Sequence, residues 1–215
     1  MDSVLERLGN LGLIPVVTLE RPEDAVPLAR ALAEGGLPCA EITLRTASAV
    51  DAIRRISAEL PEVLIGAGTV LTPYDAQRAV EAGARYIVSP GFEARVVAWC
   101  RERAVLAIPG VATPTEIMAA LSEDVRTVKF FPAETFGGIR TLSALAAPFP
   151  QMRFIPTGGI TAENLLQYLR LPCVHACGGS WLVKADLVAG RKFHEIARLA
   201  EEAARIVRQV RGQFV

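Results

Sequence analysis

The chain has 215 residues, 51% of them hydrophobic, and its 23 Lys and Arg are balanced by 23 Asp and Glu. That length suits a single α/β domain over 1–215 with a sizeable core. The neutral balance excludes both the basic footprint of a nucleic-acid binder and an acidic interaction tail. No uninterrupted apolar run approaches the roughly 20 residues of a membrane span. Met1-Asp2-Ser3-Val4-Leu5-Glu6-Arg7 carries both charge signs and is not followed by a signal-type apolar core. A cytoplasmic protein with neither membrane nor nucleic-acid partners is expected.

In chain order, residues 3–10 are predicted as a short leading helix and Leu13-Ile14-Pro15-Val16-Val17-Thr18-Leu19 as a first strand. Pro22-Glu23-Asp24 opens a helix that stops at Gly35-Gly36, with proline early and glycine late. Further strands are predicted at 39–45, 64–70, 86–90, 105–110, 127–132, 153–157 and 174–178. Helical patterns follow, among them 73–82, 93–103, 114–122, 138–147, 162–170 and a last helix near 192–210. Strand onsets recur about every 20 to 25 residues, as repeated βα units would. Eight such units in this length predict a (β/α)8 barrel. A doubly wound open sheet fits less well, because Gly66-Ala67-Gly68-Thr69-Val70-Leu71 lacks the third glycine of a dinucleotide fingerprint.

Four cysteines, at 39, 100, 173 and 177, form no Cys-x-x-Cys pair and are expected as buried reduced thiols. Cys173-Val174-His175-Ala176-Cys177 places three metal-ligand types on alternate positions. Three ligands so close on one strand make a poor tetrahedral set, and no metal site is expected. With only His175 and His194 in the chain, a Ser-His-acid triad has little support.

The chemistry concentrates around Lys129, in Thr127-Val128-Lys129-Phe130-Phe131-Pro132-Ala133-Glu134. Only three lysines are present, at 129, 184 and 192, and this one sits in a short apolar run with strand character. A strand-end lysine can snorkel to water or pair with a carboxylate. It can also be a nucleophile. An ordinary lysine exposes roughly one free amine in a thousand at neutral pH, and burial or a nearby cation raises that fraction. Strand alternation puts Ala40, Ile42 and Leu44 under helices and turns Glu41, Thr43 and Arg45 inward. In the same way, Val128 and Phe130 pack outward while Thr127, Lys129 and Phe131 face in. A carboxylate, a guanidinium and an amine are thus expected in one interior. Buried ion pairs roughly break even against apolar packing, so stability is a weak reason to keep such a set.

Two glycine turns, Thr157-Gly158-Gly159-Ile160-Thr161 and Gly178-Gly179-Ser180, follow the seventh and eighth predicted strands. In barrels of this class those two loops commonly hold phosphate, through close backbone approach and helix N-termini. A phosphorylated ligand is expected.

These residues together resemble the KDPG aldolases, the 2-dehydro-3-deoxy-phosphogluconate aldolases, which often also act on 4-hydroxy-2-oxoglutarate. The likeness is carried by Glu41-Ile42-Thr43-Leu44-Arg45-Thr46, Gly66-Ala67-Gly68-Thr69-Val70, Ser89-Pro90-Gly91 and Ile108-Pro109-Gly110. Lys129-Phe130-Phe131-Pro132-Ala133-Glu134, Pro156-Thr157-Gly158-Gly159-Ile160 and Gly178-Gly179-Ser180-Trp181 extend it over nearly the whole chain. The resemblance implies a cofactor-free, metal-independent Schiff-base aldolase on a barrel that assembles as a homotrimer. It implies cleavage to pyruvate and glyceraldehyde 3-phosphate, or to pyruvate and glyoxylate from the hydroxy-oxoglutarate. Lys129 then matches the Schiff-base lysine and Glu41 the general acid/base, acting through a water. Arg45 and Thr69 match the pyruvate-carboxylate contacts, and Thr157 the residue beside the aldehyde portion. Gly159, Gly179 and Ser180 match the phosphate end, with Pro90, Phe131 and Gly158 among the substrate-binding positions. One departure is Lys184, where the resemblance leads one to expect proline after Trp181-Leu182-Val183. The competing readings are a phosphate-binding isomerase or epimerase without a covalent step, and a non-catalytic barrel that binds an oxo acid or sugar phosphate.

Overall fold

The computed structural model describes residues 2–212; Met1 and residues 213–215, which the expected 1–215 domain includes, lie outside the described residues. Strands and helices alternate as β1 (Leu13–Val17), α2 (Ala25–Glu34), β2 (Cys39–Thr43), α3 (Ala49–Glu59), β3 (Leu64–Gly68), α4 (Pro73–Glu81), β4 (Tyr86–Val88) and α5 (Ala94–Glu102), after a leading α1 (Asp2–Leu11). They continue as β5 (Leu106–Ile108), β6 (Gly110–Val111), α6 (Pro114–Ser122), β7 (Thr127–Phe130), α7 (Gly138–Ala146), β8 (Arg153–Pro156), α8 (Ala162–Leu169), β9 (Cys177–Gly179), a short α9 (Ala185–Ala189) and α10 (Phe193–Arg211). The predicted helix from Pro22 begins instead as a 3-10 turn over Pro22–Asp24 before α2.

Helix starts follow local chemistry. Thr72 and Thr113 are extended N-caps whose hydroxyls accept from the third residue's backbone N–H, and Pro73 and Pro114 occupy the first helical position. Glu116 completes a capping box with Thr113.

Every strand pair is parallel, and the sheet is curled. The strands form a six-stranded sheet, β5-β4-β3-β2-β1-β9, and a three-stranded sheet, β6-β7-β8. The two meet inside the predicted strand 105–110, which breaks at Pro109. Residues before the break pair with β4, and residues after it pair with β7, where Gly110 lies opposite Lys129. Proline cannot donate to a ladder, so the interruption falls where the neighbour changes. The predicted strand 174–178 is also displaced. Val174 makes only an isolated bridge to Phe154, and pairing with β1 starts at Cys177. A second bridge joins Thr157 to Gly178.

Strand alternation separates two cores. Ala40, Ile42, Val128 and Phe130 point outward and bury against helix residues such as Leu28, Ile53 and Leu165. Ile14, Cys39, Leu64, Tyr86, Val88, Ile108 and Ile155 point to the other side, where Val4 and Leu8 of α1 join them. The leading helix therefore covers the end of the interior opposite the strand C-termini. Gly66 makes room within that core, because a Cβ there would stand 2.2 Å from the Tyr86 ring. No helix among the described residues is long and apolar enough to cross a membrane.

Candidate active site

The C-terminal ends of the strands supply one cavity of about 340 Å³. Its lining brings together Glu41 and Arg45 from β2 and the turn after it, Thr69 after β3, Pro90 after β4, and Lys129 and Phe131 from β7. Thr157, Gly158 and Gly159 come from the end of β8, and Ser180 from the end of β9. Ten of the eleven positions singled out from the sequence thus border one space. Gly179 does not. Its missing side chain instead admits Trp181, whose ring atom would lie 2.0 Å from a Cβ at that position.

At the base of the cavity, Lys129 Nζ donates to Glu41 Oε1 at 3.1 Å. Both residues are buried, at 6% and 3% exposure. The Lys129 ammonium also lies 5.2 Å from the centre of the Phe131 ring, within cation–π range. The inward parity of Glu41, Thr43, Lys129 and Phe131 is therefore realised, with Val128 and Phe130 on the helix side. The chain turns away directly afterwards through a cis Phe131–Pro132 peptide.

Arg45 is held by two hydroxyls. Its Nη2 donates to Thr18 Oγ1 at 2.7 Å and its Nε to Thr43 Oγ1 at 3.3 Å. Thr43 in turn donates to the Val17 carbonyl at 3.1 Å. No ion pair among the described residues involves Arg45, so its charge and its remaining N–H groups, on Nη1 and the second of Nη2, are free to take a carboxylate from outside the protein. Sequence pattern does not single out Thr18, because its strand continues a hydrophobic run and only the fold brings it to Arg45. Thr43 is legible as inward-facing but not as an Arg45 partner.

Thr69 adopts φ +57°, a left-handed conformation that a β-branched residue seldom takes. Ala104, Asp124 and Arg191 share a positive φ, but of the four only Thr69 borders this cavity. The Gly158-Gly159 turn has φ of +96° and +83°, which glycine accepts without penalty. It is fastened to the segment after Lys129: Ala133 N–H donates to the Thr157 carbonyl at 2.8 Å and Glu134 N–H to the Gly158 carbonyl at 3.0 Å. The segment after the lysine strand and the predicted phosphate turn are thus tied by two backbone hydrogen bonds. Downstream, the Thr161 N–H is capped by Asn164 Oδ1 at 2.8 Å at the start of α8.

Among the described residues, no group of three His, Cys, Asp or Glu side chains converges as metal ligands would. The His175 ring is bonded to the Leu5 carbonyl at 2.8 Å, and burial pushes the Cys177 thiol well above its usual range.

Comparison with known proteins places this geometry. Residues 4–199 match the family model described as KDPG and KHG aldolase. A 2-dehydro-3-deoxy-phosphogluconate aldolase from Treponema pallidum (strain Nichols) is 52% identical over 207 residues, covering 96% of this chain and 99% of that protein. The fold superposes on a KDPG aldolase from Legionella pneumophila, solved with pyruvate captured at low pH as a covalent carbinolamine intermediate. That structure has a TM-score of 0.89 and 39% identity, over 93% of this chain and 97% of that one. A 2-keto-3-deoxy-6-phosphogluconate aldolase from Zymomonas mobilis ZM4, solved with 3-phosphoglycerate, has a TM-score of 0.87 and 40% identity, over 95% of each chain. A match over most of the chain by sequence and by fold leaves one conclusion: this chain belongs to the KDPG and KHG aldolase family.

Proposed function

We propose that the cavity around Lys129 reversibly cleaves 2-dehydro-3-deoxy-6-phosphogluconate to pyruvate and glyceraldehyde 3-phosphate, with 4-hydroxy-2-oxoglutarate as a second substrate. Family membership makes the chain a class I aldehyde-lyase. The observation that carries the site assignment is the buried 3.1 Å contact between Lys129 Nζ and Glu41 Oε1 at the floor of a cavity. An isomerase or epimerase reading would leave that lysine without work.

In this reading Glu41 accepts a proton from the Lys129 ammonium, and the free amine attacks the C2 carbonyl of the substrate. Glu41 returns that proton to the carbinolamine hydroxyl, which departs as water, and the resulting iminium serves as an electron sink beside a carboxylate that is again ionised. Glu41 then takes the proton of the C4 hydroxyl, the C3–C4 bond breaks, and its electron pair flows into the iminium to give an enamine and the aldehyde. The proton returns to C3, and water hydrolyses the pyruvate iminium to restore Lys129. The side-chain hydroxyls of Thr18 and Thr43 fix the Arg45 fork for the 2-oxo acid's carboxylate, with Thr69 beside it. Thr157 stands where the aldehyde portion forms, and Gly158, Gly159 and Ser180 surround the phosphate end.

Closure of the two sheets into a single (β/α)8 barrel belongs to the same proposal. It is supported by the continuity of 106–111 and by the Phe154–Val174 and Thr157–Gly178 bridges between β8 and the β9 segment. A single domain over 1–215 rests on the chain's length, a cytoplasmic location on its mixed-charge N-terminus and the lack of a long apolar run, and a homotrimer on the family resemblance.

The deciding experiment is borohydride reduction in the presence of pyruvate, followed by peptide mass mapping. A stable adduct on Lys129 alone is expected. Labelling of Lys184 or Lys192, or of neither, would take the lysine out of the mechanism.

A further inference from the structure

A second cavity of about 420 Å³ opens beside the first, and Val16, Arg45, Gly159, Ile160 and Ser180 border both. The two form one groove, with Lys129 at its floor and Lys184 at its outer end. The outer portion is lined by two cationic side chains, Arg45 and Lys184, and by the hydroxyls of Thr18, Thr161 and Ser180, with no carboxylate in its wall. Lys184 is exposed and takes part in no ion pair among the described residues. We infer that Lys184 is a specificity-determining residue of this chain, a mobile cation that reads the second negative charge of a phosphate monoester at the distal end of the groove. The inference deepens the aldolase reading, on which the identity of the natural phosphorylated ligand rests.

Charge and reach favour this assignment. A phosphate monoester carries more negative charge near neutral pH than a carboxylate, and the glycine turns meet it only with neutral dipoles. A flexible ammonium supplies full positive charge as a point charge and can follow the group into the groove. One carboxylate feels the same cation without pairing with it: Glu163, on the first turn of α8. Its carboxyl is held below the usual range chiefly by the Thr161 hydroxyl, then by its own backbone N–H, and further by the positive charge of Lys184. Glu163 and a bound phosphate would therefore share one cation. Removing the carboxylate should release Lys184 to the ligand.

The test uses 3-phosphoglycerate as a stable probe and glycerate as its phosphate-free control, titrated calorimetrically into parent, Lys184→Ala, Lys184→Arg and Glu163→Gln proteins. At low ionic strength, Lys184→Ala is expected to weaken 3-phosphoglycerate binding by about three- to fivefold, the upper part of the range of an exposed ion pair. Glycerate affinity should change less than twofold, Lys184→Arg should recover the loss, and Glu163→Gln should bind 3-phosphoglycerate more tightly than the parent. In high salt the difference between parent and Lys184→Ala should close, because exposed charges are screened. Equal losses for both probes, or no loss for either, would overturn the inference. Pyruvate trapping on Lys129 separates the two claims. Trapping without any Lys184 dependence sinks only the role of Lys184, whereas Lys184-dependent binding without trapping sinks only the aldolase reading.

Discussion

Gly68 stands where any side chain would strike Glu41: a Cβ there would lie 2.1 Å from Oε1 and 2.7 Å from both Cγ and Cδ. The carboxylate that meets Lys129 is thus aimed by an absence on the neighbouring strand. Gly68→Ala must move Glu41, since a contact under 3 Å cannot be absorbed otherwise. Misplacing a catalytic group by about 1 Å can cost on the order of 10²-fold in rate. The expected result is a kcat lowered by at least about tenfold while pyruvate is still trapped on Lys129. Overpacking should cost about 1–3 kcal/mol of stability. Steady-state kinetics and thermal denaturation of the same variant check both, and a parent-like kcat would show that Glu41 tolerates displacement.

Lys129→Met should abolish turnover, and it should also expose how the pair is balanced. The change strands a buried carboxylate. In a dry core that would cost about 3–5 kcal/mol, but the cavity admits water, so about 2–3 kcal/mol is expected. Glu41→Gln should fold normally and cleave slowly. The double variant Lys129→Met/Glu41→Gln should regain most of the stability lost in Lys129→Met, because neither charge remains uncompensated. Urea unfolding of the three variants against the parent measures this coupling. If the double variant is as unstable as the sum of the singles, the two side chains do not balance each other.

Much of this site is legible in the amino-acid sequence, and for a physical reason. A strand alternates faces residue by residue, so Glu41, Thr43 and Lys129 can be assigned inward from their apolar neighbours Ala40, Ile42, Val128 and Phe130 alone. Two glycine pairs after two strands mark the turn that borders the cavity. Local pattern does not carry register. Whether Pro109 interrupts a strand depends on the neighbours that β5 and β6 find, and Gly68 acquires its role only when β3 lies beside β2. Gly179 has a packing role that its turn context does not announce: its missing side chain leaves a seat for Trp181.

Thr18 is the other long-range feature, and it predicts a binding defect rather than a chemical one. Thr18→Val keeps the shape but removes the acceptor of the 2.7 Å bond from Arg45 Nη2. The change also removes the 2.9 Å contact between the Thr18 and Thr43 hydroxyls, which leaves Thr43 with its bonds to Val17 and Arg45. Loss of the Arg45 bond at a partly exposed site costs about 1 kcal/mol, or roughly fivefold. That loss should fall on the pyruvate concentration needed for half-maximal trapping, with kcat for cleavage little changed. A fall in kcat at unchanged pyruvate affinity would place Thr18 in the chemistry instead of behind Arg45.

His175 ties the leading helix to the body of the fold, and charging its partly buried ring should destabilise that junction although Nε2 keeps its bond to Leu5. The ring donates from Nε2 to the Leu5 carbonyl at 2.8 Å, and a Cβ on Gly9 would stand 2.6 Å from the ring. Burial is the main influence holding its pKa below the usual 6.5, and the positive charges of Arg211 and Arg153 act in the same direction, against the bond to Leu5. A histidine whose folded pKa is depressed binds its proton more readily when unfolded. Its contribution is therefore complete above pH 6.5 and is lost as pH falls below it toward the folded pKa. The melting temperature of the parent should drop between about pH 7 and pH 5 more steeply than that of His175→Gln, whose side chain can still donate to Leu5 but cannot titrate in this range. The difference should be visible in α1 first, as faster amide exchange around Leu5, whose carbonyl holds the ring, and around Val4 and Leu8, which seal the interior end of the strands. Parallel pH profiles for the two proteins would mean that the imidazole is not what acid acts upon.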